Sequence, residues 1–235
     1  VLRQAFARAA DAGRVLVIAA GNDSSSEADS LALVALRAAG SEHVIIAGAA
    51  DDSGTITSFS NRAGSAESNY LLAPGDKIRS FDQNGTYYLY SGTSMAAPAI
   101  SAAAALLAQA FPNLSAAQIV DILLRSADDP GGDGPDRING RGLLNIGRAM
   151  APSDSTTLVG TSVPVSMAAT GTLGSAFGDG LSRAAGLRQL AVTDSHGRTY
   201  HLDLARNLGS AAAGRLAGRL QSATLQSASL DSANL

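Results

Sequence analysis

Apolar residues first recur at helical spacing: Leu2, Ala5, Phe6, Ala9 and Ala10 share one face, and Gly13 follows as a stop. The pattern then changes. Residues 15–20 form a short continuous apolar run, which is how a strand covered on both faces of a parallel sheet reads. Residues 44–48 repeat that run after a helical stretch over 30–39. Helix, buried strand, helix, buried strand predicts a layered α/β domain. Residues 70–73 predict a third strand, closed by Pro74-Gly75, and 86–90 are rich in β-formers. A long helix of small residues is expected over 93–110 and another over 115–126, opened by Ser115 with Gln118 as a capping box.

Beyond this point the texture loosens. Residues 128–142 are turn-rich, and 142–146 lead into a short helix ending near Met150. A polar break over 152–157 divides the chain into two expected domains, 1–150 and 151–235. In the second, 162–170 alternates as a strand does. The segments 187–193 and 199–204 flank Asp194-Ser195-His196-Gly197-Arg198 as a hairpin would. The Ala/Ser/Leu-rich stretch 208–235 holds no clean helical stripe and reads as a marginal helix or linker. The expected fold class is therefore α/β, a three-layer arrangement of parallel sheet flanked by helices, with a small β-rich appendage.

Composition narrows the chemistry. Hydrophobic residues make up 46% of the 235 and charged residues 16%, which suits a packed core. The net charge of -3 offers no basic excess for phosphates, so no nucleic-acid partner is expected. With no cysteine, thiolate metal sites, disulfides and cysteine nucleophiles are excluded. Only His43, His196 and His201 can supply histidine chemistry from within the chain. No unbroken apolar run reaches the length of a membrane helix.

The strongest chemical signal is Ser91-Gly92-Thr93-Ser94-Met95-Ala96-Ala97-Pro98, placed between a β-rich segment and a helix of small residues. A serine at a helix N-terminus lies beside unpaired N–H groups and the positive end of the helix dipole. Both favour the oxyanion formed when a serine attacks a carbonyl. Gly92 removes bulk beside Ser94, and Pro98 is expected in the first turn, where it costs no intrahelical bond. A plain Ser N-cap is the alternative reading of a shorter string. The second signal is Ala19-Ala20-Gly21-Asn22, directly after the first buried strand. On its own it reads as a turn.

The string 91–98 resembles the nucleophile motif of the subtilisin-like serine proteases. The resemblance implies Ser94 as nucleophile and Asn22 as the oxyanion-hole amide. Other segments follow the family in order: 43–51, Ser58-Phe59-Ser60-Asn61, Leu72-Ala73-Pro74-Gly75 and Gly140-Arg141-Gly142-Leu143-Leu144-Asn145. It covers about residues 1–150 and implies the same α/β fold, incomplete at its N-terminus. One departure is Ala99, where the family often has His.

In the family the catalytic Asp and His precede the oxyanion Asn. Asn22 stands near the start of this chain, and no Asp-x-Gly or His-Gly-Thr string precedes it. The acid and base are therefore expected on a missing upstream segment, and His43 is read as a structural or surface residue. Ser94 without a base is a weak nucleophile, so the isolated chain is expected to be inactive.

Residues 176–181 and 193–204 resemble the region downstream of the protease in bacterial autotransporter serine proteases. That implies an extracellular or cell-surface location and a C-terminal outer-membrane β-barrel partner in the full-length protein. No cofactor is expected. A calcium loop from Asp128, Asp129, Asp133 and Asp136 is weighed against a solvated turn, which the spacing favours. A Ser-Asp-His hydrolase using Asp194 with His196 or His201 fails because Ser94 is not followed by the x-Gly of a nucleophile elbow. The expectation is a serine endopeptidase acting on polypeptides; the alternative is a non-catalytic, subtilase-derived surface or adhesion module.

Overall fold

The computed structural model describes residues 1–132, 134–153, 155–166 and 190–202. They fall into two compact units. The first comprises Val1–Ser153 together with His196–Arg198; the second holds the described residues of 154–195 and 199–235.

The first unit is built on a parallel sheet of β1 (Leu16–Ala19), β2 (Val44–Ala50) and β3 (Tyr70–Pro74), in that order. Between β1 and β2 runs α2 (Ser30–Ala39), whose N-terminus is capped by Asp29 accepting from the Leu31 N–H at 2.7 Å. It packs against α1 (Leu2–Asp11) on one face of the sheet. On the other face lie α3 (Thr93–Ala110) and α4 (Ala116–Arg125). Successive residues of β2 serve opposite layers: Val44 and Ile46 join the α1–α2 side, Ile45 and Ala47 the α3–α4 side. All seven β2 residues are buried, which is why that segment reads as an unbroken apolar run. A short 3₁₀ helix, Gly64–Asn69, leads into β3.

Tyr70 at the start of β3 is fully buried, and its hydroxyl donates to the Asn61 carbonyl at 2.6 Å. Its ring lies against Gly48: a Cβ there would sit 2.0 Å from the Tyr70 oxygen. The glycine inside β2 thus makes room for the one large polar side chain in the sheet.

The 18-residue α3 has the length and composition of a membrane span, with a mean hydropathy of 1.3, although no unbroken apolar run of that length exists. Here it is a core helix: Ala96, Ile100, Ala103 and Leu107 are buried against the sheet and α4. The α4 cap matches expectation, with Ser115 and Gln118 bonding reciprocally. The last helix of the unit is α5 (Ile146–Met150), capped by Asn145.

A two-stranded hairpin, β4 (Ile78–Phe81) and β5 (Tyr87–Tyr90), precedes α3. Only β5 was legible as a strand. The Asn84-Gly85 turn signals the hairpin, and Asp82 Oδ1 holds that turn by accepting from the Asn84 and Thr86 N–H groups.

The second unit is an antiparallel sheet in the order β7-β6-β8-β9, from β6 (Thr156–Leu158), β7 (Pro164–Val165), β8 (Leu190–Thr193) and β9 (Thr199–Leu202). The expected pairing of the two late segments is present as β8 with β9. The strand expected over 162–170 is shorter, at Pro164–Val165, and 167–170 lie outside the described residues. So do Asp133, the segment 176–181 and the stretch 208–235.

Candidate functional site

The site forms where two chain segments meet, 71 residues apart. One is the turn leaving β1. Ala20 still bonds to the sheet through Ala47, and Gly21-Asn22 then turn away with Gly21 at φ +101°. The other is the entry to α3. There Gly92 is buried and Ser94 is exposed.

Two ties hold that entry in place. The Gly92 N–H donates to the Gly75 carbonyl at 2.8 Å, an approach that Gly75 permits because a Cβ there would meet Ala49 at 2.6 Å. The Ser91 hydroxyl donates to Asp76 Oδ1 at 2.6 Å and accepts from the Lys77 N–H at 3.0 Å.

Thr93 joins the two segments. Its N–H donates to Asn22 Oδ1 at 2.9 Å, and its hydroxyl donates to the same oxygen at 3.0 Å. The Thr93 hydroxyl also accepts the Gly21 N–H at 3.2 Å. With two donors on the amide oxygen, the Asn22 amide can be oriented in one sense only. The position a Cβ on Gly92 would occupy lies 3.5 Å from Asn22 Nδ2, 3.8 Å from Asn22 Oδ1 and 3.8 Å from the Ser94 nitrogen. The Asn22 amide and the Ser94 N–H therefore border one small space beside Gly92. Among the described residues neither has a hydrogen-bond acceptor. A negatively charged oxygen is the chemistry such a space suits.

The structure places Asn22 and the Ser94 N–H around Gly92, and the opening of α3 differs from expectation in one detail. Ser94 is the second residue of α3, and Gly92 is its N-cap. Pro98 consequently sits in the second turn, not the first. It leaves the Ser94 carbonyl without the N–H four residues on, so the opening of α3 is less fully bonded than expected. The residue the sequence reading passed over is Thr93. The available signal was a hydroxyl beside Ser94, within the motif itself.

Other candidates are engaged elsewhere. His43 Nδ1 lies 3.3 Å from the Arg14 carbonyl, at the start of β2. His196 Nε2 is 3.1 Å from Asp121 Oδ2. Burial opposes ionisation of Asp121, but bonds from Arg125 and His196 outweigh it and hold the carboxyl below its usual range. In the turn-rich loop, Asp128 pairs with Arg148 at 2.5 Å and accepts from Asn145 at 2.9 Å. Asp136 Oδ1 accepts the Ile138 and Asn139 N–H groups. Among the described residues, no three of His, Asp and Glu cluster to hold a metal.

Residues 2–142 match the subtilase family, peptidase S8. The chain belongs to that family. Serotype-specific antigen 1 of Mannheimia haemolytica is 37% identical over 157 residues, covering 63% of this chain and 17% of that protein. Subtilisin DY of Bacillus licheniformis is 35% identical over 145 residues, covering 62% of this chain and 50% of the relative. The chain thus spans half or less of the length of these relatives. Among solved structures, the self-cleaved protease domain of PatA superposes with a TM-score of 0.51 at 28% identity, over 63% of this chain and 52% of that one. The prenylagaramide maturation protease PagA gives a TM-score of 0.51 at 29% identity, over 62% and 53%.

Proposed function

We propose that this chain supplies the nucleophile and oxyanion site of a serine endopeptidase. Ser94 attacks the scissile carbonyl, and the Asn22 amide and Ser94 N–H receive the oxygen that becomes negative. The carrying observation is the pair of bonds from Thr93 to Asn22 Oδ1, which fix the Asn22 amide beside Gly92 and the Ser94 N–H.

The acid and base belong to a segment outside these 235 residues. The family's chain order and the half-length match to subtilisin DY support this. The 235-residue chain by itself is then inert, because an unassisted serine hydroxyl reacts slowly at neutral pH. The substrate is a polypeptide. Relatedness to a protein named as an antigen supports a location outside the cell or on its surface, and the resemblance of 176–181 and 193–204 to the region downstream of autotransporter proteases supports an outer-membrane β-barrel as the anchoring partner.

A fluorophosphonate probe tests the reading. The full-length protein is expected to label at Ser94, and Ser94→Ala to abolish labelling. Asn22→Ala is expected to slow labelling and peptide hydrolysis by about 10²–10³, the loss known for such a donor in a subtilisin. No labelling of the full-length protein would move the assignment to a non-catalytic surface module.

A further inference from the structure

The hairpin β4–β5 presents a patch that the catalytic reading does not use. In its register Arg79 lies opposite Leu89 and Phe81 opposite Tyr87, so these four side chains share one face. Phe81, Tyr87 and Leu89 are 66%, 62% and 65% exposed. A lone exposed apolar side chain needs no explanation, but three gathered on one face of four-residue strands form a patch. Phe81 and Tyr87 meet edge to face at 6.4 Å.

Within the patch stands a cation. The Arg79 guanidinium carbon is 4.4 Å from the centre of the Tyr87 ring. No carboxylate pairs with Arg79 among the described residues. The two acids of the hairpin are engaged, Asp82 with its own turn and Asp76 with Ser91 and Lys77. A guanidinium oriented by a ring, with no counter-ion, at an apolar surface is poised to receive a carboxylate.

Place in the chain indicates whose carboxylate. Strand β5 runs directly through Ser91-Gly92 into the helix bearing Ser94, and the Gly75–Gly92 and Asp76–Ser91 bonds fix the hairpin base to that entry. Each strand also keeps one edge without a ladder partner among the described residues, the template on which an extended peptide adds.

We propose that this face is an exosite for the polypeptide substrate, holding an extended segment whose acidic side chain pairs with Arg79 while flanking aromatic or aliphatic side chains cover Phe81, Tyr87 and Leu89. The proposal rests on the endopeptidase reading for the identity of its occupant, but binding here does not require Ser94 to be reactive.

The test uses the full chain carrying Ser94→Ala and a fluorescein-labelled hexapeptide with one glutamate between two phenylalanines. Saturable binding by fluorescence anisotropy is expected. Replacing the peptide's glutamate by lysine is expected to weaken it about tenfold, and Arg79→Glu to reverse that preference. Leu89→Ser is expected to weaken both peptides, with an unchanged circular-dichroism melt showing that the chain still folds. Equal binding by all peptides and variants overturns the proposal. So does concentration-dependent dimerisation that Leu89→Ser abolishes without any peptide binding, since the occupant is then a second copy. Fluorophosphonate labelling of Ser94 in the full-length protein reports separately on the catalytic reading.

Discussion

Thr93 carries more of the site than its neighbours suggest, because both of its hydrogen-bonding groups converge on one amide oxygen. Thr93→Val keeps the shape and the backbone bond but removes the hydroxyl. The Asn22 amide then loses one of the two donors that orient it, and the Gly21 N–H loses its acceptor. The expected outcome is a fall in kcat of about tenfold in the full-length protein, with KM little changed and Thr93→Ser restoring most of the rate. An equal loss in Thr93→Ser would assign the effect to packing. Ser94 stood out in the sequence through its own compact string, and Asn22 only through the family order that places it ahead of that string. Thr93 was not, because its partner lies 71 residues away and only the fold sets them side by side.

At the scale of elements, local pattern sufficed wherever burial is one- or two-sided along a whole segment, as in β2, α2 and α4. It failed for β4 and β6, which are short and owe their form to partners in register. The Tyr70–Gly48 contact belongs to the same scale and has a pH signature. Burial pushes the Tyr70 phenol up to about 12, and Ser60 and Arg62 pull it back only in part. Its proton is held more tightly in the folded state, so the stabilisation is complete below the unfolded pKa of about 10 and is lost as pH rises through the folded value. Thermal melts between pH 9 and 12 are expected to show Tm falling along that limb. Tyr70→Phe should flatten the limb while lowering the neutral-pH stability by about 1 kcal/mol for the lost bond to Asn61. An unchanged alkaline slope in Tyr70→Phe would assign it to other groups.

At the scale of the molecule, the most consequential side chain is Arg198, which is fully buried. Its guanidinium donates to the Ala149 carbonyl at 2.5 Å, the Ala151 carbonyl at 2.9 Å and the Ser153 hydroxyl at 2.8 Å, and lies 5.2 Å from the centre of the Phe111 ring. The acceptors stand at the C-terminal end of α5, where the helix dipole favours a cation. Asn113 and Gln118 bond to the neighbouring carbonyls of Gly197 and His196. Arg198→Ala strands those acceptors in the interior and is expected to destabilise the first unit by about 2–5 kcal/mol in urea melts. A loss under about 0.5 kcal/mol, the range of an ordinary surface substitution, would contradict this account. Nothing in the sequence marked Arg198 as buried, since it stands in a polar turn, so its burial is a property of the fold alone.

The membership of His196–Arg198 in the first unit also sets a schedule for the ribosome. A domain whose residues were contiguous would close as soon as Ser153 left the exit tunnel. Here the acceptors at the end of α5 gain their guanidinium only once the whole intervening stretch has been translated. For that interval the nascent chain is an unfinished body tethered to its own missing piece, the state in which transport machinery and chaperones meet newly made proteins.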